Sequence, residues 1–98
     1  NKFLKFNYLN LHQTNCNFDL KKRFQLLFKL TNTLNVNELD YYLLEIKRKA
    51  GLEQDFFKLG VNINKDYYKI IKGFNEQRLK NNPIKISIKD IQHILKNF

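Results

Sequence analysis

Two histidines, one cysteine and nine carboxylates are the groups in this 98-residue chain from which acid–base, thiol or metal chemistry would be assembled. His12 and His93 stand near opposite ends of the sequence. A zinc centre needs three or four converging donors, and neither histidine has that many around it. His93 falls between Lys89 and Lys96 on the polar side of a helical pattern, which reads as a solvated surface position. His12 sits at the edge of an apolar segment and reads as structural. Cys16 excludes a disulfide within the chain and any multi-cysteine zinc site. With no basic activator beside it, Cys16 reads as a packed thiol. The glycines Gly51, Gly60 and Gly73 are too far apart to form a phosphate-cradling loop. The carboxylates are scattered, whereas acid–base work on a carbonyl or sugar needs a pair in contrasting environments. The expectation is that this chain supplies no catalytic residue, no metal ligand and no cofactor-binding residue of its own.

Eighteen Lys and Arg against nine Asp and Glu give a net charge of +9. Such a balance suits polyanions. Only Arg23, Arg48 and Arg78 are arginines, however, and Arg is the side chain that grips bases and phosphates with two parallel hydrogen bonds. Lys, Asn, Ile, Phe and Tyr together make up more than half the chain. They are encoded by A- and T-rich codons, so codon usage accounts for much of the basicity. No apolar run approaches the length of a membrane span, so no membrane partner is expected. The lone cysteine fits a reducing, cytoplasmic location.

The elements that would position these groups are helical. Asn1 to Leu11 carries Phe3, Leu4, Phe6, Tyr8, Leu9 and Leu11 on several sides, so a helix there needs burial all round. Without a methionine or a capping signal, this stretch reads as a chain entering in the middle of an element. Gln13 to Asn17 is a polar loop. A helix from about Asp19 to Leu34 turns Leu20, Phe24, Leu27, Phe28 and Leu34 inward, with Asp19 at its cap. Asn37 caps a second helix to about Lys49, with Leu39, Tyr42, Leu43 and Ile46 inward and Gly51 as its left-handed stop. Gln54 to Leu59 forms one helical turn ended by Gly60. Asn64 caps a helix from Lys65 to about Leu79, inward at Tyr67, Ile70, Ile71 and Phe74, with Gly73 inside it. Asn81-Asn82-Pro83 breaks that helix, and Ile84 to Ile86 is extended. Ser87 and Asp90 have capping-box spacing, and the last helix turns Ile88, Ile91, Leu95 and Phe98 inward. The expected fold is all-α, one domain over residues 1–98, with four or five short-to-medium helices in a compact bundle.

From Gly51 onward the residues fall in a familiar order. Gly51-Leu52-Glu53-Gln54-Asp55-Phe56-Phe57-Lys58-Leu59-Gly60-Val61 resembles the "GL(P)xxLxxLGV" segment in the C-terminal helical domain of iron-containing (group III) alcohol dehydrogenases. Asn81-Asn82-Pro83, Ser87-Ile88-Lys89-Asp90-Ile91 and Ile94-Leu95 are similar to the family's ending "NPRxxTxEDIxxIL". Upstream, Phe3-Leu4-Lys5-Phe6-Asn7 resembles its "xLEFN" stretch, and Arg23-Phe24 with the helix that follows resembles its "RYAxLAxxLG" helix. The run Asn75 to Pro83 looks most like members that reduce small phosphonate- or phosphate-bearing aldehydes. Two departures stand out, Ile84 in place of the family's arginine and Glu53 in place of its proline.

What the resemblance implies is a larger parent. This chain would be the C-terminal fragment of a two-domain, metal- and NAD(P)-dependent alcohol dehydrogenase or aldehyde reductase. The parent would hold a divalent metal, iron or zinc, and act on a small alcohol or aldehyde. The partners of the chain would be a missing N-terminal nucleotide-binding domain and the helices carrying the metal ligands, one Asp and three His. Asn75, Arg78 and Asn82 would face the substrate cleft, with Arg78 able to hold an anionic group. The competing readings are a small basic helical module that binds nucleic acid, with Lys85, Lys89, Gln92 and Lys96 as its polar stripe, and a helical protein-interaction domain docking through the first segment. Exposure of that segment would also favour self-association.

Overall fold

The computed structural model describes residues 1–14 and 16–97, with the backbone alone for Glu76 and Asn97. Among the described residues six α-helices follow in order: α1 (Lys2–Leu9), α2 (Leu20–Thr31), α3 (Val36–Lys49), α4 (Ile63–Lys72), α5 (Glu76–Leu79) and α6 (Ile88–Asn97). A 3-10 turn, Leu11–Gln13, follows α1. No strand occurs among the described residues, and the one isolated β-bridge pairs Thr14 with Ile84. The all-α expectation holds. The helix number exceeds the expected four or five because Gly73 ends α4 and a separate short helix, α5, follows it.

α1 is the centre of the assembly, as a helix apolar on several sides requires. It packs against α3 and α6. Tyr8 meets Phe24 and Phe28 of α2 edge-on, with centroids 5.2 and 5.4 Å apart, and Phe3 meets Phe74 at 6.2 Å. The buried core joins Phe6, Leu20, Phe24, Phe28, Val36, Leu39, Ile84 and Ile94. Ile84 is fully buried although it belongs to no helix.

Helix starts follow capping chemistry, sometimes two residues from where the sequence suggests. Asp19 caps α2 by accepting from the Lys22 backbone N–H at 3.0 Å. Asn35, not Asn37, caps α3: its Oδ1 accepts from the N–H groups of Asn37 and Glu38, while Glu38 reaches back to the Leu34 N–H. Asn62, not Asn64, caps α4 in the same way, with Asp66 accepting from the Asn62 N–H. In both cases the earlier Asn has an acidic side chain downstream that completes a reciprocal cap, whereas Asp40, three residues after Asn37, is engaged by Asn1 and Lys5. Ser87 and Asp90 form the expected box.

Helix ends depart more. α2 stops at Thr31 because Asn32 turns left-handed, with φ 54°, and the Thr33 N–H closes onto the Phe28 carbonyl. Leu34 therefore lies beyond the helix and is 85% exposed instead of inward. Tyr42 and Ile46 of α3, expected inward, are exposed. The body measures 38 × 33 × 19 Å. In α6 the fully buried residues are Ile91 and Ile94, with Ile88 exposed in the first turn. Phe98, expected on the same stripe, lies outside the described residues. Gly51 and Gly60 both adopt positive φ, 74° and 80°, which serves the two sharp stops.

Candidate functional site

The residues expected to face a cleft cluster around the break between α5 and α6. Asn75 caps α5, its Oδ1 accepting from the N–H groups of Gln77 and Arg78 at 2.9 and 3.3 Å. The Arg78 side chain is exposed one turn later, and its carbonyl accepts from the Asn81 N–H. Asn82 turns the other way, into the protein. Its Nδ2 donates to Asn7 Oδ1 at 2.7 Å and to the Ile84 carbonyl at 2.7 Å, and its Oδ1 accepts from Asn7 Nδ2 at 2.9 Å. Both amide hydrogens of Asn82 are thus engaged inside the fold. Of the three residues, Arg78 alone presents a charged group outward, while Asn75 and Asn82 shape the backbone that carries it.

Asn7 is the residue that sequence reasoning did not single out. It is buried, and a buried amide requires partners. The signal was an Asn set between Phe6 and Tyr8 in a largely apolar helix, but a sequence alone does not name the partner, which lies 75 residues away.

A second polar network ties α1 to α3. Lys5 Nζ lies 3.1 Å from Asp40 Oδ2. Asn1 Nδ2 donates to Asp40 Oδ1 at 2.9 Å, and Lys47 Nζ donates to Asn1 Oδ1 at 2.8 Å. Burial pushes the Asp40 carboxyl up, but the hydrogen bonds from Asn1 and Lys5 and the Lys5 charge outweigh it, leaving the group below its usual range. On α1 the Lys2 ammonium donates to the Leu95 carbonyl of α6 at 3.0 Å, and burial lowers its pKa.

The remaining candidates do not converge. His12 and Cys16 are four apart in sequence, but the 3-10 turn ends at Gln13, so the spacing is not that of one helical face. His12 contacts Gln13 at 3.1 Å, and Cys16 Sγ donates to the Phe18 carbonyl at 3.4 Å. Among the described residues no group of three His, Cys, Asp or Glu side chains could hold a metal ion. The eight carboxylate side chains among the described residues are occupied by the fold itself. Asp19, Glu38, Asp66 and Asp90 hold N–H groups at helix starts; Glu53 and Asp55 do so in the following turn; Asp40 and Glu45 pair with Lys5 and Arg48.

Several concavities mark the surface of the described residues. One of about 530 Å³ lies between the end of α2 and the start of α3, beside Tyr41 and Tyr42. A second of about 360 Å³ lies under the turn after α3, lined by Leu52, Phe56 and Leu59. A third of about 250 Å³ lies on α6. No helix among the described residues is long and apolar enough to cross a membrane. No protein-family model, curated protein or solved structure matches the chain.

Proposed function

We propose that this chain is the C-terminal helical part of a metal- and NAD(P)-dependent alcohol dehydrogenase or aldehyde reductase, forming a wall of the metal-side domain. The observation that carries this reading is the order of its stops and starts. The left-handed stop at Gly51, the turn closed at Gly60, the break at Asn82-Pro83 and the Ser87–Asp90 cap fall on the residues that carry the resemblance to iron-containing alcohol dehydrogenases. A second support is the apolar surface around the turn, where Leu52, Phe57 and Leu59 are more than half exposed. Such a patch suits a chain that packs against a larger body.

In this reading the metal and the nicotinamide are held by the preceding part of the parent, as the resemblance implies. When bound there, they would polarise the substrate oxygen and transfer hydride. The residues of this chain would support and enclose. Asn82 and Asn7 hold the break in place, Asn75 starts the helix before it, and Arg78 presents a permanent positive charge suited to an anionic group on the substrate.

The test is the gene itself. Reading the codons that precede Asn1 is expected to reveal an in-frame Gly-rich nucleotide-binding loop followed by one Asp and three His ligands. A reading frame without them overturns the proposal. In the purified full product, Arg78→Ala is expected to raise KM for an anion-bearing aldehyde while leaving KM for a neutral aldehyde unchanged. Equal KM values with both substrates would remove Arg78 from the cleft.

A further inference from the structure

We propose that the outward face of α3, with the corner that joins it to α2, is a docking surface for an arginine-bearing segment of a partner polypeptide. Asn32 ends α2 in the left-handed region and Asn35 starts α3, so Thr31 to Thr33 stand against the first turns of α3. The concavity of about 530 Å³ between them is lined on α3 by Glu38, Tyr41, Tyr42 and Glu45. These four positions fall along one side of a helix, away from the buried Val36 and Leu39. Tyr41 is 67% exposed and Tyr42 41%. Leu34, whose N–H donates to Glu38 at 2.8 Å, adds a further exposed apolar side chain beside them. Exposed tyrosines with an apolar flank are the material from which interface centres are made.

The charge of the lining selects the occupant. Among the described residues its charged groups are Glu38 and Glu45, both negative, on a chain whose net charge is +9. Exposed charges are screened beyond about 8 Å at physiological salt, so these carboxylates, rather than the net charge, meet whatever docks. The two are not equivalent. Glu45 is paired with Arg48 at 2.9 and 3.2 Å and contributes little further attraction. Glu38 accepts from a neutral backbone N–H, so its full charge remains. Helical side chains lean toward the start of their helix, which brings Tyr41 and Tyr42 back over the turn that carries Glu38. A cation seated there meets one carboxylate and two aromatic rings. Guanidinium suits this place better than ammonium, because it is planar, weakly hydrated and stacks on rings. Leu34 then receives an apolar residue next to that arginine. The surface does not rest on the dehydrogenase reading.

The experiment titrates a capped Leu-Arg-Leu peptide into the isotope-labelled chain at constant ionic strength and follows the backbone amide resonances. Saturable shifts centred on residues 31–45 are expected. The same peptide with citrulline, the neutral isostere of arginine, should bind about fivefold more weakly or worse, since both contacts depend on the charge. Tyr41→Leu and Tyr42→Leu should each weaken the arginine peptide about two- to fivefold, the range of an exposed cation–ring contact. Tyr41→Phe keeps the ring and should bind as the parent does. Both tyrosines are exposed, so the urea midpoints should stay at the parent value. Should one fall, the citrulline comparison on the unaltered chain still decides. The absence of saturable shifts, equal affinity for the two peptides, parental affinity in both leucine variants, or shifts spread across α4 and α6 would overturn the surface. Shifts over residues 31–45 that grow with protein concentration alone would assign this face to a second copy of the chain and overturn the proposal equally.

Discussion

Asn7 and Asn82 exchange hydrogen bonds in both directions across 75 positions of sequence, so each is the other's solvation. Removing Asn82 leaves the buried Asn7 amide unpaired, at about 1–3 kcal/mol, whereas removing Asn7 leaves Asn82 only its bond to the Ile84 carbonyl. Asn7→Ala and Asn82→Ala are each expected to lower the urea midpoint, and the double variant to cost clearly less than the two separate losses added together. Additive losses would show that the pair is not a unit. Asp40 makes a complementary case in charge. Its folded-state pKa lies below the ordinary value, so its contribution to stability is present above the unfolded pKa near 4 and is lost as pH falls through the folded one. Asp40→Asn is therefore expected to destabilise the chain at pH 7 and to flatten the loss of stability on acidification. Urea unfolding at pH 7 and at pH 3 checks both.

Helices were legible in the sequence where cap and stripe agreed. Asp19, the Ser87–Asp90 box and the Gly51 stop each match a local hydrogen bond or a positive φ, and local chemistry is what a sequence displays directly. Leu34, Tyr42, Ile46 and Ile88 were not legible as exposed, because their burial depends on neighbours that periodicity does not name. Ile84 is the opposite case, a residue in a short extended stretch that becomes part of the core because the Asn82 side chain anchors its carbonyl. For the candidate site, the location of Arg78 near a break was readable, whereas the inward turn of Asn82 was not, since its partner is remote. At this scale the glycines separate two effects. Gly51→Ala meets no atom within 4 Å but forces a side chain into the left-handed region, so it should cost about 1 kcal/mol. Ser87→Ala loses the cap hydroxyl and should cost about 1 kcal/mol as well. Thermal unfolding of the two variants measures each, and a neutral Gly51→Ala would contradict the assigned turn.

The whole molecule is a thin body with a basic surface and apolar patches. Leu30, Leu34 and Phe57 are each more than two-thirds exposed, and a chain this small has no second layer to cover them. Leu30→Lys with Phe57→Lys is expected to reduce self-association in sedimentation experiments without lowering the unfolding midpoint, since neither side chain belongs to the buried core. A fall in the midpoint would mean that these residues already pack against something in the free chain. The connection from Gly51 to Gly60 consists wholly of exposed residues, while α1 grips α3 on one side and α6 on the other. A protease that severs that connection would consequently release nothing. The two halves would remain clasped as a complex, and if produced separately they should find each other and reassemble.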